Sequence, residues 1–435
     1  MKRGLIGKDL RGNFTQRVSN AFGLSNYEMV EMNEEQVIDF VKEKNFEGIN
    51  ITFPYKKLIY DYVDVPSKNA QKIKAVDTII VKDGKTYGYN TDYDSFYYLI
   101  KRHNINFKNK KVLILGNGGS SSAVQVIAKE MQASEINVVD IVESEGSISY
   151  IECFAKHLNS DIVINTSPVG MSPDILNAPI AMSLFSNCEA VIDLIYNPIL
   201  TTLGFNAQEL GITRVIGIEM EVAQTKYAVE LITGQKISDD RIDEVIHEIL
   251  IEKCNIVLIG MPSAGKTSIG QLLSKRLNKP FIDLDDVVVE KAKMPIPEIF
   301  AQSGEAGFRK LESLVAVELS TLNNVIIATG GGTVKNKANM DSLRLNGIVF
   351  FIDRDLDKLI SSDPNRPLSS SKEALRTMHK ERYPLYQKYS NVVVFNNEEM
   401  DKSVEDIVKG FHETAKQAVK KDWRNNCDHH SEERS

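Results

Sequence analysis

Gly260-Met261-Pro262-Ser263-Ala264-Gly265-Lys266-Thr267 decides how this chain is read. It satisfies the pattern G-x-x-x-x-G-K-[ST] in full. The run before it, Asn255-Ile256-Val257-Leu258-Ile259, is apolar and β-branched and predicts a buried strand. After it, Ile269, Leu272, Leu273 and Leu277 recur at helical spacing and predict a helix over 268–277. Strand, glycine turn and helix aim successive backbone N–H groups at one point, which also receives the positive end of the helix dipole. That point suits phosphate. The backbone of Gly260, Ser263, Ala264 and Gly265 is expected to cradle it, Lys266 to reach the outer phosphates, and the Thr267 hydroxyl to ligate Mg²⁺. The stretch is expected to bind a nucleoside triphosphate.

Working outward, 435 residues exceed what one hydrophobic core usually covers. Several domains are expected. Hydrophobic residues at 42% and charged ones at 26% fit folded globular domains. A net charge of -7 argues against nucleic acid as the main partner. Cys153, Cys188, Cys254 and Cys427 lie far apart, so neither a disulfide framework nor a CxxC metal pair is expected. The Met1-Lys2-Arg3 start lacks the apolar core of a signal peptide, and no apolar run approaches membrane-spanning length. These features lead us to expect a cytoplasmic protein acting on small molecules, with neither nucleic acid nor membrane as a partner.

The first hundred residues alternate short apolar runs with amphipathic stretches, the pattern of α/β structure. A helix is expected over 35–44, then the strand-and-turn Gly48-Ile49-Asn50-Ile51-Thr52-Phe53-Pro54-Tyr55-Lys56. A helix over 67–74 leads to the strand Ala75-Val76-Asp77-Thr78-Ile79-Ile80-Val81, and after a turn comes Gly88-Tyr89-Asn90-Thr91-Asp92. Polar residues thus stand at the ends of apolar strands, where open α/β sheets place ligands. The ordered set Asn50-Ile51-Thr52-x-Pro54-x-Lys56, Ala75-Val76-x-Thr78 and Gly88-x-Asn90-Thr91-Asp92 resembles shikimate dehydrogenase. The resemblance implies that Lys56 and Asp92 form the acid/base pair and that Thr52 and Asp77 meet the substrate. The chemistry agrees: reducing a ketone needs a proton donor at oxygen as hydride reaches carbon, and an ammonium held by a carboxylate can supply it.

Two departures stand out. The family opens with His-Ser-x-Ser-Pro, whose serines bind the substrate carboxylate; Gly12-Asn13-Phe14-Thr15-Gln16 stands there instead, and Asn13 and Thr15 still donate hydrogen bonds. Asp77 replaces the family's Asn, and facing a carboxylate substrate it would be unfavourable unless protonated, paired or turned away.

In the middle of the chain, a strand over 110–115 runs into Gly116-Asn117-Gly118-Gly119-Ser120 and a helix. This matches the Gly-x-Gly-Gly form of the resembled family, with Gly116, Gly118, Gly119 and Ser120 at the cofactor. The next strand, Ile136-Asn137-Val138-Val139, ends at Asp140. A carboxylate there can accept from a ribose 2′-hydroxyl, favouring NAD(H). The family usually has Asn-Arg at this place, with the Arg meeting the 2′-phosphate, so resemblance favours NADP(H). Both cofactors stay open. Asp161-Ile162-Val163-Ile164-Asn165-Thr166-Ser167, Val191-Ile192-Asp193-Leu194-Ile195-Tyr196 and Gly217-Ile218-x-Met220-x-Val222-Ala223-Gln224 continue the match. By resemblance Leu194 and Gly217 line the cofactor, while Tyr196 and Gln224 meet the substrate.

A charged amphipathic helix over 239–253 runs into the phosphate-loop strand. Beyond the loop, Phe281-Ile282-Asp283-Leu284-Asp285-Asp286 reads as a strand end with two carboxylates at i and i+2 on one face. A loop Ser/Thr plus an Asp is the usual way to hold Mg²⁺ beside phosphates. Gly304-Glu305-x-x-Phe308-Arg309-x-x-Glu312, Gly330-Gly331-Gly332, Arg366-Pro367-Leu368 and Arg382-Tyr383-Pro384-Leu385-Tyr386 follow in order. With the phosphate loop this set resembles shikimate kinase. The resemblance implies ATP as phosphoryl donor, Arg309 and Arg382 gripping the substrate carboxylate, Asp285 on the attacking hydroxyl, Gly331 presenting a backbone N–H, and Asp283 near Mg²⁺. Arg366, in the polar segment 361–371, is expected in a lid that brings positive charge onto the phosphates.

The expected fold is α/β: a two-lobed dehydrogenase with a Rossmann-like cofactor domain, then a P-loop kinase domain with a parallel sheet. Boundaries are expected at 1–100 for the substrate lobe (completed by a helix over 222–250), 101–221 for the cofactor domain and 254–416 for the kinase, with a disordered tail at 417–435. The product of the first reaction is the substrate of the second, so a bifunctional enzyme is the preferred reading. The departures at Asn13, Thr15, Asp77 and Asp140 motivate an alternative, in which the first half is a binding or regulatory module on an active kinase.

Overall fold

The computed structural model describes residues 1–142, 146–359 and 372–420. They form two compact units, Met1–Ile246 and His247–Ser435. Among the described residues no helix is long and apolar enough to cross a membrane.

The first unit carries two sheets. One is six-stranded, from β1 (Arg3–Gly7), β2 (Glu28–Glu31), β3 (Gly48–Ile51), β4 (Val65–Pro66), β5 (Thr78–Lys82) and β6 (Lys85–Tyr89), in the order β2-β1-β3-β5-β6-β4. It is mixed: β1 runs parallel to β2 and β3, whereas β5 pairs antiparallel with both β3 and β6. Its helix Glu34–Glu43 shows how the sequence sets local structure. Asn33 and Gln36 exchange side-chain-to-backbone hydrogen bonds in a capping box, and Val37 and Val41, one turn apart, are buried. Burying each such side chain contributes about 1.5–3 kcal/mol.

The second sheet is parallel, from β7 (Lys111–Leu115), β8 (Glu135–Val139), β9 (Ile162–Asn165), β10 (Ala190–Asp193) and β11 (Thr213–Val215), in the order β11-β10-β9-β7-β8. Four buried residues in a row from Val112 to Leu115 fit a strand covered on both faces. The order in which strands are added reverses at β7, with β8 on one side and β9 on the other, so a crevice opens at the carboxyl ends of these parallel strands.

The helix expected over 222–250 is two helices. Gly217–Thr233 ends on Gly234 in the left-handed region, and Asp240–Lys253 follows. The first of them packs against the opening lobe, where Val229 clusters with Leu5, Leu10, Leu24 and Tyr27. The division between the two units falls within Asp240–Lys253 rather than at residue 254.

The second unit holds a parallel five-stranded sheet from β12 (Asn255–Ile259), β13 (Phe281–Asp283), β14 (Ile326–Ala328), β15 (Gly347–Asp353) and β16 (Val392–Phe395), in the order β13-β14-β12-β15-β16. All five residues of β12 are buried at the centre of this sheet, and the helix Lys266–Leu277 follows it. The strand expected to run through Asp285 stops at Asp283, and the helix Leu284–Ala292 begins there. The last helix, Met400–Lys420, runs past the boundary expected at 416; residues 421–435 of the anticipated tail lie outside the described residues.

Candidate functional sites

In the first unit the Lys56–Asp92 pair is built from two short segments. Lys56 follows β3 and is held by Val76, whose N–H donates to the Lys56 carbonyl at 2.8 Å. Asp92 sits in the first turn of the helix Thr91–Arg102, whose cap is the Asn90 side chain accepting from Tyr93 N–H. Lys56 Nζ meets Asp92 Oδ2 at 2.7 Å, with side chains 13% and 2% exposed. Burial works to lower the Lys56 pKa, but the charges of Asp92 and Asp77 outweigh it and the pKa is raised. The ammonium therefore stays protonated, the form a proton donor needs. Gln224 Nε2 donates to Asp92 Oδ1 at 2.8 Å and Ser120 Oγ to Asp92 Oδ2 at 3.0 Å, so the carboxylate is held from three sides.

These groups open into a cavity of about 150 Å³, also lined by Asn13, Thr15, Thr52, Leu194, Tyr196 and Glu221. Its size suits a small polar metabolite rather than a large ligand. Asn13 Nδ2 donates to the Tyr196 hydroxyl at 3.0 Å, and Thr15 Oγ1 donates to Glu221 Oε1 at 2.6 Å.

Two expected residues have protein partners that the sequence did not suggest. Asp77 is held by its own lobe: Oδ1 accepts from Thr91 N–H at 2.8 Å and the Thr91 hydroxyl at 2.7 Å, and Oδ2 from Asp92 N–H at 2.9 Å. Its carboxylate anchors the positive end of the helix carrying Asp92 and also lines the cavity, so it positions Asp92 whatever it meets in the substrate. Burial raises its pKa, the Asp92 charge adds to this and the Lys56 charge opposes it. Ser120, expected at the cofactor, instead directs its hydroxyl to Asp92.

Of the residues expected at the cofactor, Gly116, Gly118 and Gly119 follow β7, Asp140 follows β8, Leu194 follows β10 and Gly217 starts the helix after β11, so all stand at the carboxyl ends of the parallel strands. Gly217 has to be glycine because a Cβ there would come within 2.3 Å of the Ile195 carbonyl oxygen. Asp140 already accepts backbone N–H groups, from Asn117 at 2.7 Å and Val142 at 3.1 Å. It therefore shapes the glycine turn as well as bearing charge beside it. Each carboxylate oxygen keeps capacity for a further donor.

In the second unit the phosphate loop, the end of β13, the turn after β14 and Arg354 after β15 converge on a cavity of about 570 Å³. Lys266 Nζ donates to the Gly260 and Met261 carbonyls at 3.0 Å each, folded over its own loop. Thr267 Oγ1 donates to Asp283 Oδ2 at 2.8 Å. The carboxylates of Asp283 and Asp285 are not on one strand face as expected. Asp283 caps the helix Leu284–Ala292, accepting from Asp285 N–H at 3.1 Å, and Asp285 lies in its first turn. Among the described residues no cluster of His, Cys, Asp and Glu forms a metal cage. Thr267 and Asp283 nevertheless supply adjacent hard oxygen donors, which fits Mg²⁺, an ion usually shared between one or two protein oxygens and phosphates.

Arg309 is held by Glu312 at 2.8 Å and Glu305 at 3.2 Å, and its guanidinium lies against Gly332, where a Cβ would come within 2.2 Å of Nη2. Arg382 Nη1 donates to the Gly331 carbonyl at 3.1 Å, and the Tyr386 hydroxyl donates to the same oxygen at 2.5 Å. Gly331 thus orients Arg382 through its carbonyl, a task the sequence did not suggest. The buried Nε of Arg382 has no hydrogen-bond partner among the described residues, and Arg382 lines the cavity. Arg366 and its segment 361–371 lie outside the described residues.

Glu221 and Arg354 were missed. Glu221 falls three residues before Gln224 on one helix face, a spacing that could have flagged it. Arg354 directly follows β15, and its Nη1 lies 3.5 Å from the Ser263 carbonyl of the phosphate loop.

Comparison with known proteins divides the chain the same way. The family model described as shikimate dehydrogenase substrate binding domain matches residues 14–79, and that described as shikimate kinase matches residues 262–412. A shikimate kinase of Clostridium botulinum (strain Alaska E43 / Type E3) is 44% identical over 160 residues, covering 36% of this chain and 96% of the relative. A shikimate dehydrogenase (NADP(+)) of Clostridium beijerinckii is 31% identical over 252 residues, covering 52% of this chain and 90% of the relative. The crystal structure of shikimate dehydrogenase 1 from Peptoclostridium difficile superposes with a TM-score of 0.52 at 29% identity, over 57% of this chain and 98% of that one. The chain belongs to both families, to the shikimate dehydrogenases through its first unit and to the shikimate kinases through its second.

Proposed function

We propose that this chain is a bifunctional shikimate-pathway enzyme. The first unit reduces 3-dehydroshikimate to shikimate with a nicotinamide cofactor, and the second phosphorylates shikimate to shikimate 3-phosphate with ATP. The observation that carries the first activity is the Lys56–Asp92 pair, 2.7 Å apart and walled into a small cavity beside the glycine turn. A nicotinamide cofactor, when bound beside the glycine turn, would supply the hydride for the keto carbon. Lys56 Nζ gives its proton to the keto oxygen and is left as a neutral amine that regains a proton from solvent. Asp92 keeps the ammonium charged and aimed; Gln224, Ser120 and Asp77 keep Asp92 in place.

In the kinase site Arg309 and Arg382 would take the ring carboxylate, for which guanidinium forks are suited. Asp285 would orient the attacking hydroxyl. Lys266 would exchange its two loop carbonyls for phosphate oxygens, and Thr267 with Asp283 would hold Mg²⁺, which neutralises phosphate charge when bound. Arg309→Ala or Arg382→Ala removes a charge-assisted contact of about 1.5–3 kcal/mol. The expected result is a shikimate KM raised about 10- to 100-fold with the ATP KM little changed. Loss of ATP affinity with shikimate affinity intact would contradict the clamp.

Cofactor choice turns on Asp140. The dehydrogenase relatives are named for NADP(+). In this chain, Asp140-Ile141-Val142-Glu143-Ser144-Glu145 places acidic residues and no basic one after β8. A carboxylate repels a 2′-phosphate but accepts from a 2′-hydroxyl. We therefore expect kcat/KM with NAD at least equal to that with NADP, and a shift toward NADP in Asp140→Asn. A strong NADP preference in the unmodified enzyme would contradict this.

A further inference from the structure

The cavity of the second unit is lined by three arginines, and the kinase reading above uses two of them. Arg309 lies against Gly332, and Arg382 donates to the Gly331 carbonyl, so both stand at the turn after β14. Arg354 comes from the end of β15 and meets the phosphate loop instead, its Nη1 3.5 Å from the Ser263 carbonyl. β12, which leads into that loop, pairs with β15, so the two strand ends lie side by side. The arginine left over is therefore the one beside the loop.

Arg354 is also loosely held. Its approach to the Ser263 carbonyl is at the long limit of a hydrogen bond, and its buried Nε has no hydrogen-bond partner among the described residues. The carboxylates on either side in sequence take other donors: Asp353 accepts from the Tyr383 hydroxyl at 2.9 Å, and Asp355 from Asn397 Nδ2 at 2.8 Å. Arg309, by contrast, is paired with Glu312 and Glu305. A guanidinium is charged at every working pH, and its planar fork matches phosphate oxygens. Exchanging a neutral carbonyl at 3.5 Å for a phosphate oxygen would give Arg354 a shorter, charge-assisted bond and break no ion pair with its flanking carboxylates.

We propose that Arg354 is a further nucleotide-binding residue of the kinase site, gripping the phosphate chain at the Ser263 edge of the loop in addition to Lys266. The proposal rests on the kinase reading of this unit, and the test separates the two. Binding of ATP, ADP, adenosine and shikimate to the full-length chain is measured by calorimetric titration, for the unmodified protein, Arg354→Gln and Arg354→Lys. Phosphorylation of shikimate is followed in parallel. In Arg354→Gln the Kd of ATP and of ADP should rise about 10- to 100-fold, with adenosine and shikimate unchanged. The KM for ATP should rise with them while the KM for shikimate stays. Arg354→Lys keeps the charge and loses the fork, so it should show the same pattern at a smaller size. That pattern decides the matter if Arg354→Gln does not fold. Unchanged ATP and ADP affinities, or a loss shared equally by adenosine, would overturn the phosphate contact while leaving the kinase in place. A loss confined to shikimate would do the same and move Arg354 to the acid clamp. An unmodified chain that neither binds ATP nor phosphorylates shikimate would overturn the kinase reading and this proposal together.

Discussion

Lys56→Ala is expected to lower dehydrogenase kcat by about 10²- to 10⁴-fold, the usual worth of a positioned proton donor. The variant removes the one cation among the residues lining the first cavity and leaves Asp92, which is nearly fully buried, without its charge partner. Phosphorylation of added shikimate by the same protein should persist, because the residues of that site belong to the other unit. The pH profile supplies a second check. The Lys56 pKa is raised by its carboxylate neighbours against the effect of burial, so the donor form dominates at neutral pH and reduction proceeds there. Shikimate oxidation needs the neutral amine and should speed up as pH rises toward the Lys56 pKa. In Lys56→Ala that rise should disappear. A variant that retains both its rate and its alkaline rise would exclude Lys56 as the proton partner.

Lys266→Ala should produce the mirror result. Phosphoryl transfer is catalysed by positioning and by charge neutralisation, and Lys266 is the buried cation of the phosphate loop. Its removal should lower ATP-dependent phosphorylation of shikimate by about 10²- to 10³-fold, in line with loss of one preorganised donor to a transition state. Dehydrogenase activity should be retained. Unchanged phosphorylation would remove the loop from the mechanism.

The parts of this molecule that could be read from sequence are those where one short segment carries both the structure and the chemistry. Asn255 to Thr267 encodes a buried strand, a phosphate turn and a helix start within a few residues, and the structure reproduces each. Lys56 and Asp92 stand at ends of readable elements, and the fold brings them to 2.7 Å. What could not be read depends on partners distant in the chain. Asp77 gains its positioning task only because Thr91 and Asp92 present their N–H groups to it. Ser120 serves Asp92 because the cofactor sheet and the substrate lobe meet there, and Glu221 gains meaning only opposite Thr15, 206 residues away. Asp283 and Asp285 were misread for a local reason. Strand and helix meet at Asp283, and its capping bond to Asp285 N–H starts a helix where alternation suggested continued strand.

The central claim is that one chain performs two consecutive reactions, and a single incubation tests it. Purified full-length protein is given 3-dehydroshikimate, ATP, Mg²⁺ and reduced nicotinamide cofactor, with NADH and NADPH tried separately and no added shikimate. Cofactor oxidation and the products are followed together. The account predicts that reduced cofactor is consumed and that shikimate 3-phosphate forms, with the phosphate product absent when the cofactor is omitted. If neither cofactor is consumed while added shikimate is still phosphorylated, the chain is a kinase carrying a dehydrogenase-like module, and the account of the first unit is wrong.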